Sequence, residues 1–138
     1  MAIKKVSAIY NGGMNFSAEI DGHIIQIDTT EDNGGTNLGP RPKALMLAAL
    51  SGCTGFDIVN ILKKMRVEFS DFSVASEANS TDTEPSVYDE VKIIYTIRVE
   101  EEDQSKVEKA VHLSKDKYCG VSRMFEGFAR VNFEIDFL

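Results

Sequence analysis

Apolar and polar positions alternate at the start of the chain, over residues 3–10, 14–20 and 23–29, and Asn11-Gly12-Gly13 and Asp21-Gly22 interrupt them. Period-two alternation describes strands with one buried face, and Gly-rich or Asp-Gly interruptions describe tight turns, so a three-stranded meander is predicted. Residues 28–42 follow. Gly34, Gly35, Gly39, Pro40 and Pro42 are spaced too closely there for a regular element to persist, which predicts a loop. From 43 to 65 there is no proline, Leu, Ala and Ile dominate, and Lys63, Lys64 and Arg66 close the segment where a helix dipole favours cations. One helix of about 35 Å is expected. Its first half, 44–53, is apolar nearly all round, so several neighbours must cover it.

Residues 67–78 and 87–100 are β-rich runs joined by the polar stretch 79–86 and predict a second antiparallel pair. Residues 103–118 read as a helix with Val107, Ala110, Val111 and Ser114 on one face, followed by a short helical turn over 121–127. In the last segment, 129–138, Val131, Phe133, Ile135 and Phe137 alternate with polar residues as a half-buried strand requires. The order is βββ-α-ββ-α-α-β, without repeats. Grouped strands on either side of one long helix fit α+β rather than a doubly wound parallel sheet.

The length of 138 residues changes this picture only by fixing one domain over 1–138. Fifteen Lys plus Arg against 22 Asp plus Glu leave a charge of −7, which argues against nucleic acid or an anionic membrane as partner. No signal peptide is expected at the N-terminus, and the longest purely apolar run, 44–50, is far short of the roughly 20 residues that span a bilayer. A soluble, cytoplasmic protein follows. Gly34-Gly35 precedes neither a GK[ST] sequence nor a helix-opening GxGxxG, so nucleotide binding has no support.

The candidate chemistry rests on Cys53 and Cys119. Two cysteines can build neither a four-cysteine zinc site nor a secreted disulfide scaffold, and no metal or cofactor is expected. Cys53 lies in Ser51-Gly52-Cys53-Thr54-Gly55, where two glycines weaken the helix by about 1 kcal/mol each relative to alanine, so the site wants backbone room. It reads either as a small core residue between packing glycines or as a redox thiol. Cys119 stands at the break between two helical stretches, four residues before Arg123. It reads either as a buried cap or as a thiolate held by helix N–H groups and that cation. Asp57, one turn after Cys53 on the same face, is placed to act on that thiol or to orient a cation. His23 reads as a strand residue, and His112 is about 10 Å along the helix from Cys119, too far for direct proton transfer. The run Glu100-Glu101-Glu102-Asp103 reads as a solvated helix entry.

GTNLGPRPKALMLAALSGCTGFDIVNILKKM (35–65) and, later, KYCGVSRMF (117–125) resemble the OsmC/Ohr family of osmotically induced and organic-hydroperoxide-resistance proteins, and the likeness runs end to end. The resemblance implies an intertwined homodimer whose antiparallel sheets wrap two long central helices. It also implies a thiol peroxidase. In active members the residue matching Cys53 attacks an organic hydroperoxide to give a sulfenic acid, the residue matching Cys119 resolves it as a disulfide, and a dithiol carrier reduces that. Met14, Phe16, Leu38 and Met46 could line an apolar pocket for the peroxide tail.

Two family features are missing. Peroxidatic members carry an arginine shortly after the first Gly-Gly turn, where this chain has Met14, and a glutamate nine or ten residues before the helix cysteine, where it has Lys43 and Ala44. Losing both partners is self-consistent, because losing one would strand a buried charge. It also removes the cation that holds the thiolate, and a slow reaction is expected unless Arg41, Lys43 or Arg123 replaces it. The competing reading is a non-peroxidatic dimer of the same fold that binds a small apolar ligand or acts as a redox sensor.

Overall fold

The structure, a computed structural model, describes residues 1–138. These form two compact units, Met1–Met46 and Leu47–Leu138. The first holds β1 (Ser7–Tyr10), β2 (Phe16–Ile20) and β3 (His23–Ile27) as an antiparallel meander in that order. Its second turn is Asp21-Gly22, with φ of 53° and 81° joining Ile20 to His23 opposite it. Positive φ at both central residues is what a two-residue hairpin of right-handed twist demands, and Asp-Gly supplies it cheaply. β1 is shorter than expected. Ser7 stands opposite Glu19, and β2 turns away after Ile20, so residues 3–5 run past the end of their partner. The start of β2 is trimmed as well, because Asn15 donates its backbone N–H to the Gly12 carbonyl and closes the first turn.

β3 stops before Asp28, whose buried carboxylate gathers the loop. It accepts from the backbone N–H groups of Thr29, Thr36 and Leu38 and from the Thr36 hydroxyl. Those four bonds hold its pKa below the ordinary carboxylate value against an opposing desolvation by burial. Gly39 lies so close to the Gln26 carbonyl that a Cβ would collide with it, which fixes glycine at that position. One 3-10 turn, Glu31–Asn33, interrupts the predicted loop.

The long helix is α1, Pro42–Lys64. It ends in a Schellman arrangement: the Val67 N–H donates to Leu62 O at 2.9 Å and the Arg66 N–H to Lys63 O at 3.1 Å, with Arg66 at φ 58°. By length and composition α1 could cross a membrane. Leu50, Thr54, Ile58 and Leu62, however, form a stripe at spacings of four that is buried in the core of the second unit.

The second unit has β4 (Ser70–Ser80), β5 (Tyr88–Arg98), α2 (Gln104–Leu113), α3 (Gly120–Glu126) and β6 (Arg130–Phe137), with β5 central in the sheet. β4 and β5 pair antiparallel as expected, but β6 runs parallel to β5, from Glu90 opposite Arg130 to Ile97 opposite Phe137. This sheet is therefore mixed, a correction to the expectation of antiparallel sheets. A parallel neighbour needs a long crossover, and the segment carrying α2 and α3 provides it. Val91, Ile93, Tyr95 and Ile97 on β5 face the core with Val107, Ala110 and Val111 of α2 and Phe125 of α3. The helix predicted to reach residue 118 is α-helical only to Leu113. A single π-helical turn, Ser114–Tyr118, follows and delivers the chain to Cys119.

Candidate functional site

Both cysteines are free thiols in the second unit. Cys53 is half-buried on α1, and Cys119 is buried as the N-cap of α3. The Cys119 N–H donates to the Ser114 carbonyl at 2.8 Å, and Cys119 Sγ accepts the Ser122 N–H at 3.3 Å. The two thiols are near enough for Cys53 to act on Cys119. Burial pushes the Cys119 thiol up to about 12, the neighbouring Cys53 and the negative charge of Asp57 push the same way, and the Ser122 N–H opposes them. Cys119 is thus a protonated thiol at neutral pH, the buried cap of its two sequence readings and not the helix-held thiolate, because only 3% of it is exposed and desolvation outweighs one backbone N–H.

Asp57 accepts from Ser114 Oγ at 2.9 Å. Ser114 Oγ also lies 2.8 Å from Thr54 Oγ1, which lies 2.7 Å from the Tyr95 hydroxyl. Tyr95, Thr54 and Ser114 are each no more than 1% exposed, so α1, β5 and the π turn meet in a dry chain of hydroxyls ending on a carboxylate. Burial first, and then the charges of Cys119 and Asp57, raise Tyr95 to about 12 against the lowering hydrogen bond it shares with Thr54. Sequence reasoning missed Thr54, Tyr95 and Ser122 and counted Ser114 only as part of an apolar face. A serine among Val107, Ala110 and Val111 was the available signal. Ser122 Oγ is buried without a hydrogen-bond partner. Beside this cluster, Asp57, Ile61, Leu113 and Tyr118 help line a cleft of about 460 Å³.

Of the cations proposed for the thiolate, Arg123 is exposed and turned to the Asp116 carbonyl at 3.3 Å and Glu126 at 3.6 Å. Arg41 donates through both terminal nitrogens to Asn37 Oδ1 at 3.0 and 3.1 Å. Lys43 sits half-buried in the first turn of α1. Met14, Phe16, Leu38 and Met46 all belong to the first unit and are exposed on the single chain, Leu38 to 63%. Neither glycine beside Cys53 is pressed: a Cβ at Gly52 meets nothing within 4 Å, and one at Gly55 meets Val74 at an ordinary 3.6 Å. His23 is exposed on β3, and His112 packs edge-on against Phe133 at 5.2 Å. The acidic run becomes a 3-10 turn, Glu101–Asp103, leading into α2, with Asp103 paired to Lys106 at 3.2 Å.

The family described as OsmC-like protein matches residues 34–134. Protein YhfA of Escherichia coli strain K12 is 30% identical over 115 residues, 83% of each chain. Among solved structures, a hypothetical protein from Aquifex aeolicus VF5 superposes with a TM-score of 0.81 at 27% identity, covering 100% of this chain and 99% of its own. An organic hydroperoxide resistance protein OsmC from Legionella pneumophila shares the fold at 20% identity, with a TM-score of 0.67 and 99% coverage of both chains. With a match spanning α1, both cysteines and the mixed sheet, the chain belongs to the OsmC-like family.

Proposed function

We propose that the protein reduces organic hydroperoxides through Cys53 and Cys119, as a homodimer with a single OsmC-like domain over 1–138. The observation that carries this reading is the neighbouring thiol pair: Cys53 is the more accessible member, and Cys119 is buried and protonated near it. Unequal environments assign unequal roles. The Cys53 thiolate attacks the outer peroxide oxygen; an S–O bond forms, the O–O bond breaks, and the alkoxide leaves as the alcohol with the proton Cys53 gave up. Cys119 sulfur then attacks the Cys53 sulfenic acid; the S–S bond forms and hydroxide leaves as water with the Cys119 proton. A dithiol of the lipoyl or thioredoxin kind returns the pair to the reduced state by exchange. With Met14 where peroxidatic members have arginine, and Arg41 and Arg123 engaged elsewhere, the first step is slow. A cytoplasmic location suits a pair that must be re-reduced.

Exposed apolar surface supports the dimer. On α1, Ala48, Ala49 and Gly52 are exposed and Phe56 is 76% exposed, while Ile9, Tyr10 and Ile24 lie open on the first sheet. The same engaged cations favour one second reading, a redox sensor or apolar-ligand binder that never turns over. A single assay separates them: consumption of cumene hydroperoxide with dithiothreitol, alongside thiol counting. Loss of both titratable thiols with sustained consumption is expected; two titratable thiols after peroxide treatment would overturn the peroxidase, and one round of oxidation without turnover would favour the sensor.

A further inference from the structure

We infer that Ser114 is the positioning residue that sets the approach of Cys53 to Cys119, an inference that rests on the proposed use of these two thiols as a redox couple. Ser114 grips both partners. Its carbonyl accepts the Cys119 N–H at 2.8 Å, and its hydroxyl reaches Thr54, the residue after Cys53, at 2.8 Å. The same hydroxyl donates to Asp57 Oδ2, one helical turn beyond Cys53, at 2.9 Å.

The direction of this chain follows from its end. A carboxylate oxygen accepts, so Ser114 commits its one proton to Asp57; Thr54 must then donate to Ser114, and Tyr95 to Thr54. Each hydroxyl has one proton and one assigned acceptor, which leaves the Ser114 side chain a single arrangement. It is also fully buried, so no water competes for it. Two sulfurs held at fixed separation by a rigid third residue have a high effective concentration for each other, and that quantity sets how readily a dithiol closes. The π-helical turn beginning at Ser114 fits this role, since it brings the Cys119 N–H onto the Ser114 carbonyl, a bond over five residues that an α-helix does not make.

The test uses a small disulfide rather than peroxide, so that it stands apart from the peroxidase reading. The Cys53 thiolate attacks one sulfur of oxidised glutathione and releases a glutathione thiolate, which takes the proton. Cys119 sulfur then displaces the second glutathione, which leaves with the Cys119 proton. The parent chain, Ser114→Ala and Ser114→Thr are equilibrated in glutathione buffers of graded ratio, and the Cys53–Cys119 disulfide is counted by mass spectrometry. Ser114→Ala should lower the equilibrium constant for closure about tenfold, a shift of about 30 mV for a two-electron couple. Ser114→Thr, which restores the hydroxyl, should return it to within about twofold of the parent. If Ser114→Ala fails to fold, Thr54→Val severs the same link and should show the same tenfold fall. An equilibrium constant unchanged within twofold in whichever variant folds overturns the inference, as does a parent chain that closes no disulfide at any ratio. A parent that closes the disulfide with glutathione but ignores peroxide overturns the peroxidase and leaves the positioning role supported.

Discussion

Replacing Cys53 by serine leaves Cys119 as the sole thiol, and its reactivity then reads its surroundings directly. The largest cause of its displacement, desolvation at 3% exposure, is untouched by the substitution, and so is the Asp57 charge. In the parent chain a rise from 9.0 to about 12 is three pH units, so the thiolate fraction at neutral pH is about a thousandfold below that of an ordinary cysteine, and the substitution removes only the share that Cys53 contributes. Iodoacetamide alkylation of Cys53→Ser, followed by mass spectrometry from pH 7 to 11, should give a folded-state profile still rising at pH 10. In urea the same variant should titrate near 9. Restricted access slows the reaction but leaves the midpoint where it is, so the midpoint is the deciding quantity. A folded midpoint at or below 9 would refute the reasoning. The same displacement has a stability consequence. An acid whose folded pKa lies above its unfolded one contributes fully below the unfolded value, and that contribution is lost as pH rises toward the folded one. From pH 8 to pH 10 Cys119 should therefore lower the unfolding free energy, by on the order of 1 kcal/mol, a loss that Cys119→Ala abolishes in urea titrations. Tyr95 adds a smaller decline of the same sign above pH 10.

Arg66 occupies the left-handed region at φ 58°, so Arg66→Gly should stabilise by about 0.5–1 kcal/mol, and an unchanged or lower urea midpoint would show the cap to be unstrained. Gly52→Ala should raise helix stability by about 1 kcal/mol in the protomer, where a Cβ meets nothing; if α1 pairs with its counterpart across that face, sedimentation should show the dimer weakened at the same time. Ser122→Ala deletes a buried hydroxyl without a partner and should leave stability unchanged or raise it by up to about 1 kcal/mol; a loss of more than that in thermal unfolding would reveal a bond the hydroxyl makes.

Much of the fold was legible because the periods are strong. The β-rich segment 87–100 marked β5, Asp21-Gly22 marked the β2–β3 hairpin, and α1 differs by one residue at each end from the helix expected over 43–65. The direction of β6 was not, since alternation at Val131, Phe133, Ile135 and Phe137 reports which face is buried and is the same for either direction. At the site, the two cysteines stood out as the only pair in the chain, but the hydroxyl chain joins residues 41, 57 and 60 positions apart, which no local pattern carries. The choice between a buried cap and a thiolate at Cys119 stayed open for a related reason: a helix start is local, whereas the burial that decides for the cap is not. Met14, Phe16, Leu38 and Met46 were readable as apolar, and all four are exposed on the single chain.

The parallel pairing of β5 with β6 imposes an order of assembly. β4 and β5 are neighbours in sequence and can zip as a hairpin within microseconds, whereas β6 can add its edge only after the whole segment carrying α2, the π turn and α3 has folded back over the sheet. On the ribosome that closing strand emerges after Cys119, so both thiols are synthesised and exposed before their burial is complete. The Cys119 thiol of a nascent chain is thus open to solvent during this interval, and docking of β6 completes the core that buries it.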